Sequence, residues 1–285
     1  MVRELSEHLA SCSINTATLG FQAPIADVID SVARAGFGMI APWRREVEGG
    51  DVKTIARHMR DAGLQLSGYC RSTYIPAAYA AEFRANIAAN VRAIDDAATL
   101  GAPVFVMVVG GLPAGSKNLE AARAQVRDAT AEMLAYGRSV GVKLALEPLH
   151  PVYAADRSCL TLLSEALDWC DVIEGESSEP WLGVAVDAYH VWWDPYLPQG
   201  IARAGKAKRI FAFHVCDWLV PTLDVLNDRG MMGDGVIDLK AMRQMVEAAG
   251  YQGAVETEIF SSANWWKRPI AETLAVCRER LISST

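Results

Sequence analysis

The chain has 285 residues, of which 51% are apolar and 21% charged, and a formal charge of -7. That is enough for one full-sized α/β barrel of roughly 250 residues, and the acidic balance without clustered Lys and Arg argues against a nucleic-acid partner. The longest apolar run, residues 103–109, is too short to span a bilayer, and MVRELSEHLASCS lacks an apolar signal core. A cytoplasmic protein that does not engage a membrane is expected. Its six cysteines, without CxxC spacing, read as buried reduced thiols.

Eight β-leaning apolar segments follow one another along the chain, at residues 8–15, 38–42, 65–70, 104–109, 143–147, 183–187, 210–214 and 253–258. Most are short and bounded by Gly or Pro, as strands buried on both faces are. Between them the spacing predicts helices over 24–35, 51–63, 77–100, 118–140, 161–170, 197–206, 239–249 and 269–282. Several of these close on a glycine, at Gly36, Gly63, Gly101, Gly141 and Gly250. Strand then helix, eight times with no linker-like stretch, predicts a single (β/α)8 barrel domain over 1–285. The open doubly wound alternative is weakened because SINTATLG, after the first strand, lacks a GxGxxG phosphate loop.

Four of the strands end on a metal-type donor. LALEPLHP delivers Glu147, LGVAVDAYH delivers Asp187, IFAFHVCDW delivers His214 and GAVETEIF delivers Glu258. In a barrel all four fall on the catalytic face. Alternation turns Ala145, Ala185 and Ala212 inward beneath three of them, while Glu256 shares the face of Glu258 one layer deeper and needs a partner or a proton there. Three carboxylates and one imidazole without thiolate suit Mn²⁺, Mg²⁺ or Co²⁺, with Zn²⁺ admissible. Such a metal polarises a carbonyl chelated to it, and two glutamates flanking the substrate can remove and return the neighbouring proton, which is isomerisation or epimerisation.

The succession LEPL, VDAYH, FHVCD, GDGVIDL and VETEIF resembles the sugar phosphate isomerase/epimerase family, the xylose isomerase-like TIM barrels that include ketose 3-epimerases, inosose isomerases and dehydratases, and endonuclease IV. The resemblance spans nearly the whole chain. It implies a divalent metal, foremost Mn²⁺, on Glu147, Asp187, His214 and Glu258, with Glu147 and Glu258 also catalytic. It further implies that His190 contacts a substrate hydroxyl, that Arg229 binds substrate, and that the protein forms homo-oligomers. With five histidines in all, the chain lacks the set that endonuclease IV uses.

Two features depart from the epimerases. LEPLHP places His150 beside the ligands as a candidate base, and the loop YHVWWDP, with Trp192 and Trp193, joins Trp265 and Trp266 in an aromatic mouth. Both resemble family members that act by elimination on oxidised (3-keto) glycosides, which implies a lyase on a 3-keto-glycoside or inosose as the alternative. A barrel that binds a sugar or a partner subunit without turnover is the third reading. Trp43, Arg44, Tyr69 and Arg71 are placed to line the pocket, Asp217 to support the ligands, and Arg157 reads equally as an ion pair with Asp156 or a neighbouring acid. His8, at the start of the first strand, reads as a polar group at the barrel bottom. With no concentrated Lys/Arg cluster, the sequence leans towards an unphosphorylated sugar or keto-glycoside as substrate.

Overall fold

Each apolar run forms a strand because both of its faces find cover. The computed structural model describes residues 3–6 and 9–285, so the predicted role of His8 lies outside the described residues. The strands are β1 (Cys12–Asn15), β2 (Met39–Ala41), β3 (Gln65–Leu66), β4 (Tyr69–Cys70), β5 (Val104–Met107), β6 (Lys143–Leu146), β7 (Leu182–Asp187) and β8 (Ile210–Val215). They are followed by β9 (Asp217–Trp218), β10 (Arg229–Gly230) and β11 (Val255–Thr257). Nine of them form one parallel sheet in the order β3-β2-β1-β11-β8-β7-β6-β5-β4.

The two edges of that order, β3 and β4, are consecutive pieces of one predicted strand, 65–70. The break lets it change partners. Gln65 and Leu66 pair with β2, whereas Tyr69 and Cys70 pair with β5. A parallel bridge between Trp43 and Cys70 spans the gap, so the sheet is a nearly closed barrel.

Helices Ile25–Arg34, Val52–Asp61, Ala80–Leu100, Leu119–Val140, Leu163–Glu174, Leu197–Lys206, Leu239–Ala248 and Ile270–Ser284 surround it. Their ends follow local chemistry. Asp51, Asn118 and Asp238 accept backbone N–H groups as N-caps, and Gly101 and Gly141 close two helices in the left-handed conformation. The main core lies between sheet and helices. A second, small one fills the barrel, where Ala145, Ala185 and Ala212 meet Cys70, Val104 and Val106. The expected small residues beneath the ligands are there. All six cysteines are buried and none forms a disulfide. Among the described residues no helix is long and apolar enough to cross a membrane.

One buried ion pair anchors the start of β7. Arg209 donates to Glu174 at 2.7 Å and to the carbonyls of Leu182 and Gly175, while Glu174 also accepts the backbone N–H groups of Trp181 and Leu182. Arg138 also donates to Glu174 at 2.6 Å, so it is loss of the acid that strands a buried charge, on Arg209. Glu174→Leu is therefore expected to lower unfolding stability by about 3–5 kcal/mol, read by urea denaturation; a loss under about 1 kcal/mol would show that water replaces the carboxylate freely.

Candidate metal centre

The four donors reach one point because neighbouring strands are in register. Asp187 pairs with His214 across β7 and β8, and His214 pairs with Glu256 across β8 and β11. Glu147 and Glu258 follow directly on β6 and β11, and their N–H groups extend the ladder to Met107 and Val215. One donor atom from each of Glu147, Asp187, His214 and Glu258 falls within 4.8 Å of the others, and all four residues are buried.

The electrostatics are those of crowded negative charge. Burial pulls the His214 imidazole down, but the carboxylates of Glu256, Glu147 and Glu258 outweigh it and hold its pKa well above the usual range. His214 Nδ1 lies 3.0 Å from Glu147 Oε1 and Nε2 lies 3.5 Å from Glu256 Oε1. Burial pushes Asp187 up to about 6 against the pull of Arg229, and burial together with the Glu147 charge raises Glu258. Glu256, whose state the sequence leaves open, is held by donors. It accepts from Asn15 Nδ2 at 2.9 Å and Ser67 Oγ at 2.6 Å, and the same Asn15 amide reaches Glu258 at 3.1 Å.

Arg229 is the cation opposite. Its Nη1 stands 3.3 Å from both Asp187 Oδ2 and Glu258 Oε2, and its guanidinium is sandwiched between the rings of Tyr189 and Phe260. It arrives on a strap that the sequence reads only as a loop, where β9 and β10 pair antiparallel. Asp217 ties the strap and does not touch the four donors. It accepts the N–H groups of Trp218, Gly233 and Ile237. The GDG of the motif is needed here, because a Cβ on Gly235 would fall 2.2 Å from the Trp218 carbonyl.

His190 sits on a short helix, Ala188–Val191, that starts directly at Asp187. The backbone N–H of His150 donates to its Nδ1 at 3.2 Å, so the neutral ring carries its proton on Nε2, facing Asp187 Oδ2 at 3.5 Å. Burial and the Arg229 charge hold its pKa well below the usual range. The Arg229 Nη2 found 3.3 Å from Nε2 is then a close approach of two donors, not a hydrogen bond.

Above the donors is a cavity of about 20 Å³ whose lining includes Glu147, Glu258, His190, Arg229, Trp43 and Phe260. Trp43 and Arg71 also line an outer cleft of about 830 Å³. His150 and Trp192 are not brought to the inner cavity. The His150 ring packs against Trp218 and Trp193, and its Nδ1 accepts the Val152 N–H at 3.2 Å. With that lone pair engaged, the neutral ring holds its proton on Nε2, and the ring lies outside the lining of the inner cavity. Trp192 packs beside Trp218, and Trp266 is tied by its indole N–H to the Ala17 carbonyl at 2.7 Å. Tyr69 is turned into the main core, and Arg44 pairs with Glu48. The aromatic lining comes instead from Trp43, Tyr153 and Phe260. Alternation in VETEIF flags Glu256, but no spacing rule brings Asn15, Tyr153 or Phe260 to this place.

Comparison with known proteins agrees with the geometry. Residues 29–280 match the family described as xylose isomerase-like TIM barrel. The structure of protein SMc04130 from Sinorhizobium meliloti 1021 is 51% identical, with 97% of this chain and 99% of that one covered and a TM-score of 0.93. An IolI protein with a bound zinc atom is 16% identical over 96% of this chain and 97% of its own, with a TM-score of 0.81. A D-psicose 3-epimerase solved in the presence of D-fructose is 17% identical over 96% and 98%, with a TM-score of 0.79. These last two likenesses show the fold. No curated protein matches the chain. A barrel matched along nearly its whole length by one family's sequence pattern, and at half its residues by one solved relative, belongs to that family: this chain is a xylose isomerase-like TIM barrel protein.

Proposed function

We propose that this protein is a divalent-metal-dependent sugar isomerase or epimerase, moving a proton beside the carbonyl of a ketose, cyclitol or keto-sugar through an enediolate. The observation that carries this reading is the convergence of Glu147, Asp187, His214 and Glu258 within 4.8 Å at the catalytic face. Three buried carboxylates facing one imidazole fit a divalent ion, since without one their mutual repulsion is met only by protons and Arg229. The donor set suits Mn²⁺ foremost, and the zinc of the IolI relative supports Zn²⁺ as a substitute. When bound, the ion supplies Lewis-acid polarisation of the substrate carbonyl.

The chain's own residues do the rest. Glu147 and Glu258 stand on β6 and β11 and act as the acid/base pair; Glu258, whose carboxyl burial raises, holds a proton the more readily. His190 orients Asp187 through Nε2–H and presents its ring edge to the cavity. Arg229 and Trp43 contact the sugar. The inner cavity has room for about one water, so a sugar also draws on the outer cleft, which Trp43 and Arg71 line as well.

Elimination from an oxidised glycoside is the second reading, supported by the aromatic lining of Trp43, Tyr153 and Phe260, which offers faces to an aglycone. The placement of His150 gives that route no base beyond the two glutamates. A barrel that binds without turnover is disfavoured by the glutamate pair itself.

Two measurements test the centre. Raised pKa values on Asp187, Glu258 and His214 mean that the metal-free fold gains from holding protons there, a gain lost as pH rises through about 6 for Asp187. A cation must displace those protons, so the rise in Tm on adding Mn²⁺ to EDTA-treated protein should be larger at pH 8 than at pH 5. His190, shifted the opposite way, affects both samples alike. A rise equal at the two pH values, or none, would remove the metal from this site.

For catalysis, proton NMR in D₂O with the Mn²⁺-loaded protein and ketoses, inososes and 3-keto-glycosides should show deuterium entering beside the carbonyl with the skeleton intact. Glu258→Gln should slow that exchange by about 10²–10⁴-fold while the fold is retained. Undiminished exchange would overturn the proton-transfer scheme, and release of an aglycone or water would make the protein a lyase.

A further inference from the structure

Two arginines enter the inner cavity from different loops, and neither has an acid. Arg71 follows β4, and Arg157 lies in the loop after β6. That loop is pressed onto the one after β5 at Gly111, where a Cβ would fall 2.3 Å from the Ala155 carbonyl, and bonds from Leu112 N to Ala155 and from Cys159 N to Gly110 hold it there. The sequence offers Asp156 as a partner for Arg157, but the ion pair does not form: among the described residues no carboxylate lies within 4.0 Å of either guanidinium. Their neighbours Arg44 and Arg229 are both paired.

What Arg71 does touch is weak. Its Nη1 reaches the Ser72 carbonyl at 3.3 Å, and the guanidinium faces the Tyr74 ring at 4.7 Å and the Trp43 ring at 5.8 Å. Arg157 faces the Tyr153 ring at 5.6 Å. Burial lowers the Arg71 pKa, and the Arg157 charge adds to that. Two half-buried like charges that act on each other, with no carboxylate in contact and only Glu147 acting on Arg71 from a distance, are a cost the fold carries.

The charge balance says what would relieve it. The four buried carboxylates Glu147, Asp187, Glu256 and Glu258 outnumber by one the charges of Arg229 and a divalent cation, so Arg71 and Arg157 together leave one positive charge in excess facing the cavity. Arg71 also borders the outer cleft. There Glu48 is taken by Arg44 and Glu82 is the other acid, while Arg45 lies over the Phe21 ring at 4.0 Å.

We propose that Arg71 and Arg157 form an anion-binding subsite, and that the substrate is an anionic sugar derivative carrying a carboxylate or phosphate away from the carbonyl end. Guanidinium forks match the planar oxygens of either group, whereas a neutral sugar leaves them unpaired. This rests on the isomerase or epimerase reading above; a carboxylate would agree with the sequence's leaning towards an unphosphorylated substrate, and a phosphate would depart from it. No Lys/Arg cluster shows in the sequence because 86 positions separate the two arginines.

The test titrates Mn²⁺-loaded protein with D-fructose, D-fructose 6-phosphate and 5-keto-D-gluconate by calorimetry, following deuterium exchange in the same samples. At least one anionic probe should bind about tenfold or more tightly than D-fructose, as a charge-assisted bond would give. Which of the two it is separates phosphate from carboxylate. In Arg71→Gln and Arg157→Gln the ratio should collapse towards one with metal content retained, and Arg71→Lys should keep part of it. If Arg71→Gln does not fold, Arg157→Gln carries the test. Equal binding of all three probes by the unaltered protein, or a ratio that survives both substitutions, overturns the subsite. Exchange without anion preference overturns the subsite and keeps the isomerase; preference without exchange does the reverse.

Discussion

Negative charge gathered inside a barrel is the constraint on which the rest of this structure turns. Glu147, Asp187, Glu256 and Glu258 are all buried around the single imidazole of His214. Each buried ion costs several kcal/mol unless it is paired and hydrogen-bonded. The fold meets that cost in layers. Asn15 and Ser67 donate to Glu256 at the deepest level, His214 bridges Glu256 to Glu147, and Arg229 closes over Asp187 and Glu258. Ala145, Ala185 and Ala212 leave the room that this polar stack needs.

Long-range pieces deliver the compensating charge, which is why the loops are as structured as the strands. Arg229 is brought in by a strap whose two-residue ladder is tied to Asp217, and it is then fixed between Tyr189 and Phe260. The short helix after Asp187 turns His190 back onto that carboxylate. Loops at the C-terminal ends of barrel strands carry function because the strands hold their roots in place.

The same packing removes groups that the chain pattern puts near the centre. His150 is three residues from Glu147, yet Pro148 and the turn at Pro151–Tyr153 carry its ring onto Trp193 and Trp218. The tryptophans of YHVWWDP and Trp265–Trp266 serve as packing and as anchors for loop backbone. An aromatic-rich loop is a poor guide to a sugar platform for a physical reason. The same large apolar area that would stack on a ligand stacks equally well on its neighbours.

Local physics made much of this protein legible from its residues. Short apolar runs bounded by Gly and Pro, and helices closed by glycine, specify alternating strands and helices, because each depends on contacts near in sequence or on a period that any chain must obey. The four donors were visible for the same reason, since each stands at or beside the C-terminal end of its own strand and parallel strands align their ends. Tertiary structure alone decided the splitting of residues 65–70 into β3 and β4, where one strand must satisfy two different neighbours to close the barrel. It also decided which side chains meet from distant loops: Asn15 with Glu256, Arg229 with Asp187, and Arg71 beside Arg157 at one cavity. Those meetings depend on how loops of differing length fold over a common mouth, and no periodicity in the chain encodes that.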